Sequence, residues 1–295
     1  MHTAARQKTL AVAALLAGAA AIGTSALFVK VSEVGPVSSA FWRVFLALPV
    51  LWLWARIESR ATTRESGPAD IGILLLAGFF FAGDLAVWHW SIVLTSVANA
   101  TLLANCAPIF VALAAWLLYR RRPKALFLLG LATAVGGMVL LLRGDFQHRG
   151  DALLGDALGI VTAMFYAAYQ LTVTRARKTV STARIMAVSG AVTALILLPI
   201  ALASGERFLP LSAHGWLLLL GLALIAQAGG QSLIAYAMAH LPATFSSVGL
   251  LLQPVIAAAL AWVLLGEALT SLAIAGAVLV LIGIRIAHAA ETARA

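Results

Sequence analysis

The sequence predicts an all-α membrane protein: ten transmembrane helices in two inverted five-helix repeats, with N- and C-termini cytoplasmic. Three observations predict it. Of the 295 residues, 62% are hydrophobic and 11% charged, with a mean hydropathy of +1.00, values more apolar than a water-soluble globule of this size tolerates. Ten apolar stretches reach the roughly 18 to 22 residues needed to cross about 30 Å of hydrocarbon. Finally, Pro108-x3-Ala112-x2-Ala115-Trp116-x-Leu118 recurs 146 residues later as Pro254-x3-Ala258-x2-Ala261-Trp262-x-Leu264. Each copy lies inside a long apolar run, as expected of a membrane half built twice.

In order, the stretches run approximately 9 to 29, 37 to 55, 70 to 92, 97 to 119, 125 to 142, 153 to 174, 184 to 203, 213 to 238, 244 to 265 and 270 to 288. None shows the period-2 alternation of a barrel strand, and backbone polar groups in lipid must be satisfied within the segment, so each is read as a helix. The first is too long for a signal-peptide core and leads straight into the second, so it is expected to be retained. With the N-terminus inside, 15 of the 20 Lys and Arg residues fall on cytoplasmic segments and span ends; Lys30, Arg143, Arg149 and Arg207 fall outside, and Arg43 lies within the second span. This bias follows the positive-inside rule. Topology thus accounts for the net charge of +9, and no nucleic-acid partner is expected.

If the proline-bearing spans are fourth and ninth, each half has five helices, and an odd number turns the second half upside down. The halves are expected at 1–146 and 147–295. In such inverted repeats a substrate site sits near the membrane midplane and rocking exposes it to each side in turn. Pro108 and Pro254 each lie about halfway along their spans. A proline there removes a backbone hydrogen bond and breaks the helix, which is tolerated where neighbours or a cavity satisfy the freed carbonyl; kink and gate are the functional reading, a simple bend the alternative. The pairs Gly130/Ala134, Gly155/Gly159 and Ala273/Ala277 read as helix-packing faces. Cys106, the only cysteine, reads as small apolar packing.

Polar residues within the spans fall into stripes. Span 6 carries Thr162, Tyr166, Tyr169, Gln170 and Val173; span 3 carries Asp84, Trp88 and Ser91, with Thr95 just beyond. Span 8 offers Gln227 and Gln231, span 9 Ser246 and Gln253, span 4 Thr101 and Asn105, and span 1 Thr24, Ser25 and Phe28 beside Gly23. The stripes are expected to converge on one amphipathic cavity; helix-to-helix hydrogen bonding is the alternative. Asp84 is the only acid well within a span, so its carboxyl should be protonated or matched with a donor. Arg43 is expected to snorkel or to hold carbonyls of a neighbouring helix, a structural part. His89, on another face from Asp84, is expected near an interface.

Absences narrow the function. Apart from Arg43 no span has a mid-membrane cation, which disfavours phosphorylated substrates. No hydrolase, P-loop or metal-site spacing appears, so neither an enzyme, a metal site nor a cofactor is expected.

On these residues the chain resembles the ten-helix EamA branch of the drug/metabolite transporters. In the first copy the resemblance rests on Gly23-Thr24-Ser25, Pro36, Arg43-Val44-Phe45-Leu46-Ala47 and Thr95-Ser96-Val97-Ala98 through Pro108. In the second it rests on Ala243-Thr244 through Gln253-Pro254, then Leu264-Leu265-Gly266-Glu267-Ala268-Leu269-Thr270. The first copy has Tyr119-Arg120-Arg121-Arg122 where the second has Leu265-Gly266-Glu267-Ala268, so the Gly-Glu turn is not repeated; the Arg run reads as a topology anchor. The resemblance implies a secondary transporter exporting small metabolites across the bacterial cytoplasmic membrane, its closest-looking branch being the aromatic amino-acid exporters. Tyr166, Tyr169, Trp88 and Phe28 then give a partly aromatic cavity, with amides for zwitterion ends and a proton or exchanged solute as the coupling partner. A proton-coupled multidrug or cation efflux carrier is the first alternative, and a membrane scaffold or embedded enzyme the second.

Overall fold

The computed structural model describes residues 2–61, 68–95, 97–120, 122–142, 152–266 and 270–292. Among them every regular element is helical. Ten spans result: Arg6–Lys30, Pro36–Arg60, Ile71–Trp88, Ala100–Leu118, Ala125–Leu142, Leu153–Ala176, Thr182–Ala203, Ala213–Ala237, Ala243–Leu265 and Ser271–Ala290, numbered 1 to 10. They coincide closely with the predicted stretches, because hydropathy alone decides which backbone can be hidden in lipid. Large apolar side chains such as Leu53, Leu118, Leu195 and Val263 are exposed on the outside of the bundle, where lipid rather than water is the natural neighbour.

The helix packing is internally two-fold. Span 3 packs on span 6 as span 1 packs on span 8; span 3 meets span 7 as span 2 meets span 8; span 4 meets span 6 as span 1 meets span 9. Spans 2 and 7, and spans 5 and 10, pair with each other. Adding five to each span number, counted cyclically, maps this pattern onto itself. Because the chain reverses at each crossing, five crossings per half set the second copy antiparallel to the first. The expected boundary between residues 146 and 147 lies outside the described residues.

Spans 5 and 10 form the closest seam. A Cβ on Gly130 would strike the backbone of Gly283 and Ala287, and one on Gly137 that of Gly276 and Val280. Glycine therefore sets the interhelical distance here, as van der Waals packing in lipid favours. The expected Gly130/Ala134 face takes part, and Gly155 and Gly159 seat Thr95 and Leu103. In span 10 Gly276 and Gly283 make close approaches of this kind, and the expected pair Ala273 and Ala277 is half-buried.

Four spans depart from a continuous α-helix. Span 1 breaks at Thr24 between the helices His2–Gly23 and Ser25–Lys30. Span 4 breaks at Asn105 and Cys106, between Val97–Ala104 and Ala107–Tyr119, and span 9 breaks at Leu250 and Leu251, between Ala243–Gly249 and Leu252–Leu265. Both latter breaks lie just ahead of a proline, as a missing N–H and a ring clash require. Span 8 carries a ten-residue π-helix, Leu222–Gln231.

The spans bearing Pro108 and Pro254 also end alike. Arg120 closes span 4 at φ +51° and Gly266 closes span 9 at φ +69°. The sequences differ, but the left-handed cap recurs at the same 146-residue offset, so the turn is repeated in conformation where it is not repeated in residues. Arg120 is the only non-glycine with positive φ among the described residues, a conformation that costs an L-residue about 1 to 2 kcal/mol. Glu267 and Arg121 lie outside the described residues.

Candidate functional site

The polar stripes of spans 2, 3, 6, 8 and 9 meet deep in the bundle. Span 2 delivers Arg43, whose Nε–H donates to Gln227 Oε1 at 3.1 Å. Gln231, four residues on and the last of the π-helix, donates from Nε2 to the Tyr169 hydroxyl at 3.1 Å. A π-helix is rare and frequent at functional sites; here it turns both amides inward, and both are buried. Tyr169 stacks on Phe81 with ring centroids 4.7 Å apart and lies near-parallel to Tyr166 at 6.3 Å. Three rings from spans 3 and 6 thus form one wall. Tyr166 interacts in turn with the Gln253 side chain.

This centre holds more hydrogen-bonding capacity than it uses. Both side-chain polar atoms of Gln170 and Nε2 of Gln227 and Gln253 are buried and have no partner; the hydroxyls of Ser25 in span 1 and Ser246 in span 9 are likewise buried without one. Buried polar atoms are ordinarily satisfied, so each orphan asks for a reason. Arg43, Asp84 and Tyr166 lie deep inside the protein and yet keep accessible surface.

The other expected site residues separate into three groups. Thr24 and Thr162 turn their hydroxyls onto their own helices, at Ala21 O and Leu158 O. Asn105 donates from its side chain to the backbone carbonyl of Thr101 at 2.8 Å, so the Asn105 amide serves the break of span 4. Phe28 packs over Gly221, away from the tyrosine wall, and Trp88 is half-buried one turn beyond Asp84. Ser91 and Thr95, read as an extension of the Asp84 stripe, bond span 6 through Gly155 O and Asp156 Oδ1 at 2.7 Å each. The side chain of His89 lies outside the described residues.

Arg43, expected to snorkel or to hold backbone carbonyls, instead donates to the side-chain oxygen of Gln227 and so joins the polar centre. Phe81 and the π-helix had no signal in the sequence reading. A ring three residues before Asp84 looks like ordinary core, and ten residues are too few to separate a 4.4 period from a 3.6 one.

The two ends of the bundle differ. Away from the basic residues, Glu33 Oε2 accepts from the N–H of Leu211 at 2.7 Å and of Ser212 at 3.0 Å, and the Ser212 hydroxyl also donates to Glu33. Reciprocally, Glu206 Oε2 accepts from Val37 N–H at 3.0 Å. Each carboxylate caps the start of a span from the other half, where the helix dipole favours negative charge. Trp42 Nε1–H donates to Phe208 O at 2.7 Å, and its ring meets Phe41, Phe208 and Trp216 at 5.1, 5.3 and 5.0 Å. The basic end instead opens in two recesses. One, of about 540 Å³, is lined by Leu171, Thr174, Arg175, Lys124 and Thr244; the other, of about 530 Å³, by Trp52, Arg56, Glu58, Arg177 and Arg184. A small apolar cluster of Ala107, Val111, Ala163 and Ala167 reaches from Leu171 in the first recess to Tyr166 in the centre.

Ten spans in two like halves around a buried, under-satisfied polar centre define a multi-pass membrane transporter. The chain belongs to the EamA-like transporter family, whose pattern matches residues 9–143 and again 153–288. It is 26% identical over 243 residues, 82% of each chain, to the pseudopaline exporter CntI of Pseudomonas aeruginosa. It is 27% identical over 275 residues, 93% of this chain and 95% of the other, to an uncharacterized transporter of Archaeoglobus fulgidus. One solved crystal structure superposes over 100% of both chains with a TM-score of 0.78 at 16% identity, a likeness of fold alone.

Proposed function

We propose that this chain is a secondary carrier that exports amino acids, aromatic ones included, or related small metabolites across the cytoplasmic membrane of a bacterium by alternating access. The repeats 1–146 and 147–295 rock about the polar centre, driven by a proton gradient or an exchanged solute, with the basic end cytoplasmic. The observation that carries this reading is the orphaned amide of Gln170 together with the unpaired Nε2 groups of Gln227 and Gln253, beside the Phe81, Tyr169 and Tyr166 wall. Unspent donors and acceptors beside stacked rings suit a small molecule with a polar head and an apolar or aromatic body. The exporter among its relatives supports the outward direction. Pro108 and Pro254, at the helix breaks, shape the cavity and its gates.

Purified protein in liposomes should exchange labelled amino acids with no nucleotide present, faster with phenylalanine or tryptophan inside than with no counter-solute. Asp84, an acid deep in the bundle with no hydrogen bond from a described residue, favours a second reading, proton-coupled efflux of lipophilic cations. Inactivity across all amino acids together with uptake of a cationic dye would decide for that reading.

A further inference from the structure

We propose that Arg43 and Asp84 together form the head-group receptor of the central site, Arg43 for the α-carboxylate and Asp84 for the α-ammonium of a zwitterion. This rests on the amino-acid reading and adds the residues that select the head group.

Arg43 enters from span 2, and the bond from its Nε–H to Gln227 fixes the plane of the guanidinium. A guanidinium has five N–H donors. The remaining four meet no acceptor among the described residues, and none of these nitrogens is among the polar atoms sealed from solvent. Asp84 faces the same region from span 3; its carboxylate also makes no hydrogen bond or ion pair with a described residue and is not sealed off. The two charges lie near enough to act on each other but do not close into an ion pair.

A charge within a membrane bundle is costly unless paired. Two opposite charges free to meet lower that cost by meeting. Here the Gln227 bond holds one of them to span 8, and the gap between them calls for an anion beside Arg43 and a cation beside Asp84. A zwitterion supplies both at once, and a carboxylate matches the guanidinium fork. A simple amine answers Asp84 but places a second cation before Arg43; a simple acid does the reverse. Tyr166 and Tyr169 lie within the field of both charges, so the ring wall stands beside the head group, where a substrate's apolar body would lie.

The test uses the full chain in nanodiscs and three probes that share one tail: phenylalanine, phenethylamine and 3-phenylpropionate. Wild type should bind phenylalanine at least about tenfold more tightly than either analogue, since a site built for a polar group rejects ligands that lack it. Arg43→Gln should bring phenylalanine and phenethylamine to within about twofold of each other while discrimination against 3-phenylpropionate persists, and Asp84→Asn should do the opposite. Arg43→Lys, which keeps the charge and loses the fork, should retain a reduced preference over the amine; it carries the test if the Gln variant does not fold. If wild type binds phenylalanine and the variants weaken all three probes equally, or leave the preferences unchanged, the receptor is overturned and the amino-acid reading stands. If wild type binds no amino acid, that reading falls and the receptor with it.

Discussion

At the end away from the basic residues, two carboxylates from opposite halves cross over to cap each other's helices, and Trp42 ties span 2 to the segment before span 8. At the basic end, the segments around Arg175, Lys178 and Lys124 border two recesses of about 540 and 530 Å³. The packing of the spans is two-fold, but the chemistry at the ends is not. The difference teaches that the repeat supplies the architecture while unrepeated residues set the chemistry of each end. Glu33 and Glu206 tie the two halves together at one end, and the Ala107, Val111, Ala163 and Ala167 cluster lies between the first recess and the centre at the other.

Breaking the carboxylate-capped end at Trp42 should have the largest effect. Trp42→Ala removes one hydrogen bond and the ring contacts with Phe41, Phe45, Phe208 and Trp216, and should lower stability by about 3 kcal/mol, read as a drop in thermal unfolding temperature in detergent. At the basic end, Leu171→Trp fills the recess against the apolar cluster. It should slow exchange by about an order of magnitude, because a packed interior gives little when volume is added, while substrate binding in equilibrium assays changes little.

The Glu33 cap itself should be pH-dependent with a definite sign. The Glu33 carboxyl is held below its ordinary 4.5 first by the Ser212 hydroxyl; desolvation opposes this, and the N–H groups of Leu211 and Ser212 and the charge of His214 add to the lowering. A depressed folded-state value means that the cap contributes fully above the ordinary value of 4.5 and is lost as the pH falls through the lower folded one. Acidifying the outer face below that range should therefore raise labelling of a cysteine introduced at Val37. Raising the pH from neutral should change nothing, and Glu33→Gln should abolish the dependence. The smallest effect is expected at the mirrored caps: Arg120→Gly should stabilise by about 1 kcal/mol and Gly266→Ala should destabilise by a similar amount, measured by thermal unfolding.

The spans were legible because lipid makes a single demand, an apolar run of sufficient length, and each run states it locally. Asp84, Tyr166, Tyr169 and the glutamines were legible as candidates since polar groups in such runs are rare. What brings them together was not. Arg43 meets Gln227 across 184 residues, and a lone arginine in a span reads equally well as a snorkelling side chain until its partner is known. Glu33 and Glu206 sit in short loops where any acid would pass as surface, and their function as caps exists only once the halves are docked. Asn105 shows the converse: a polar residue at helical spacing whose amide is spent on the backbone of a broken helix.

The seam between spans 5 and 10 has one more consequence. Gly130, Gly137, Gly276 and Gly283 bring two backbones together with no side-chain layer between them, and so no cushion that can be compressed or sheared. If the proposed alternating access holds, that pair would be the fixed part about which the rest turns, as doors turn around a post. A compound meant to arrest it would find no foothold on the post and needs to be sought where leaves meet, in the clefts at the basic rim.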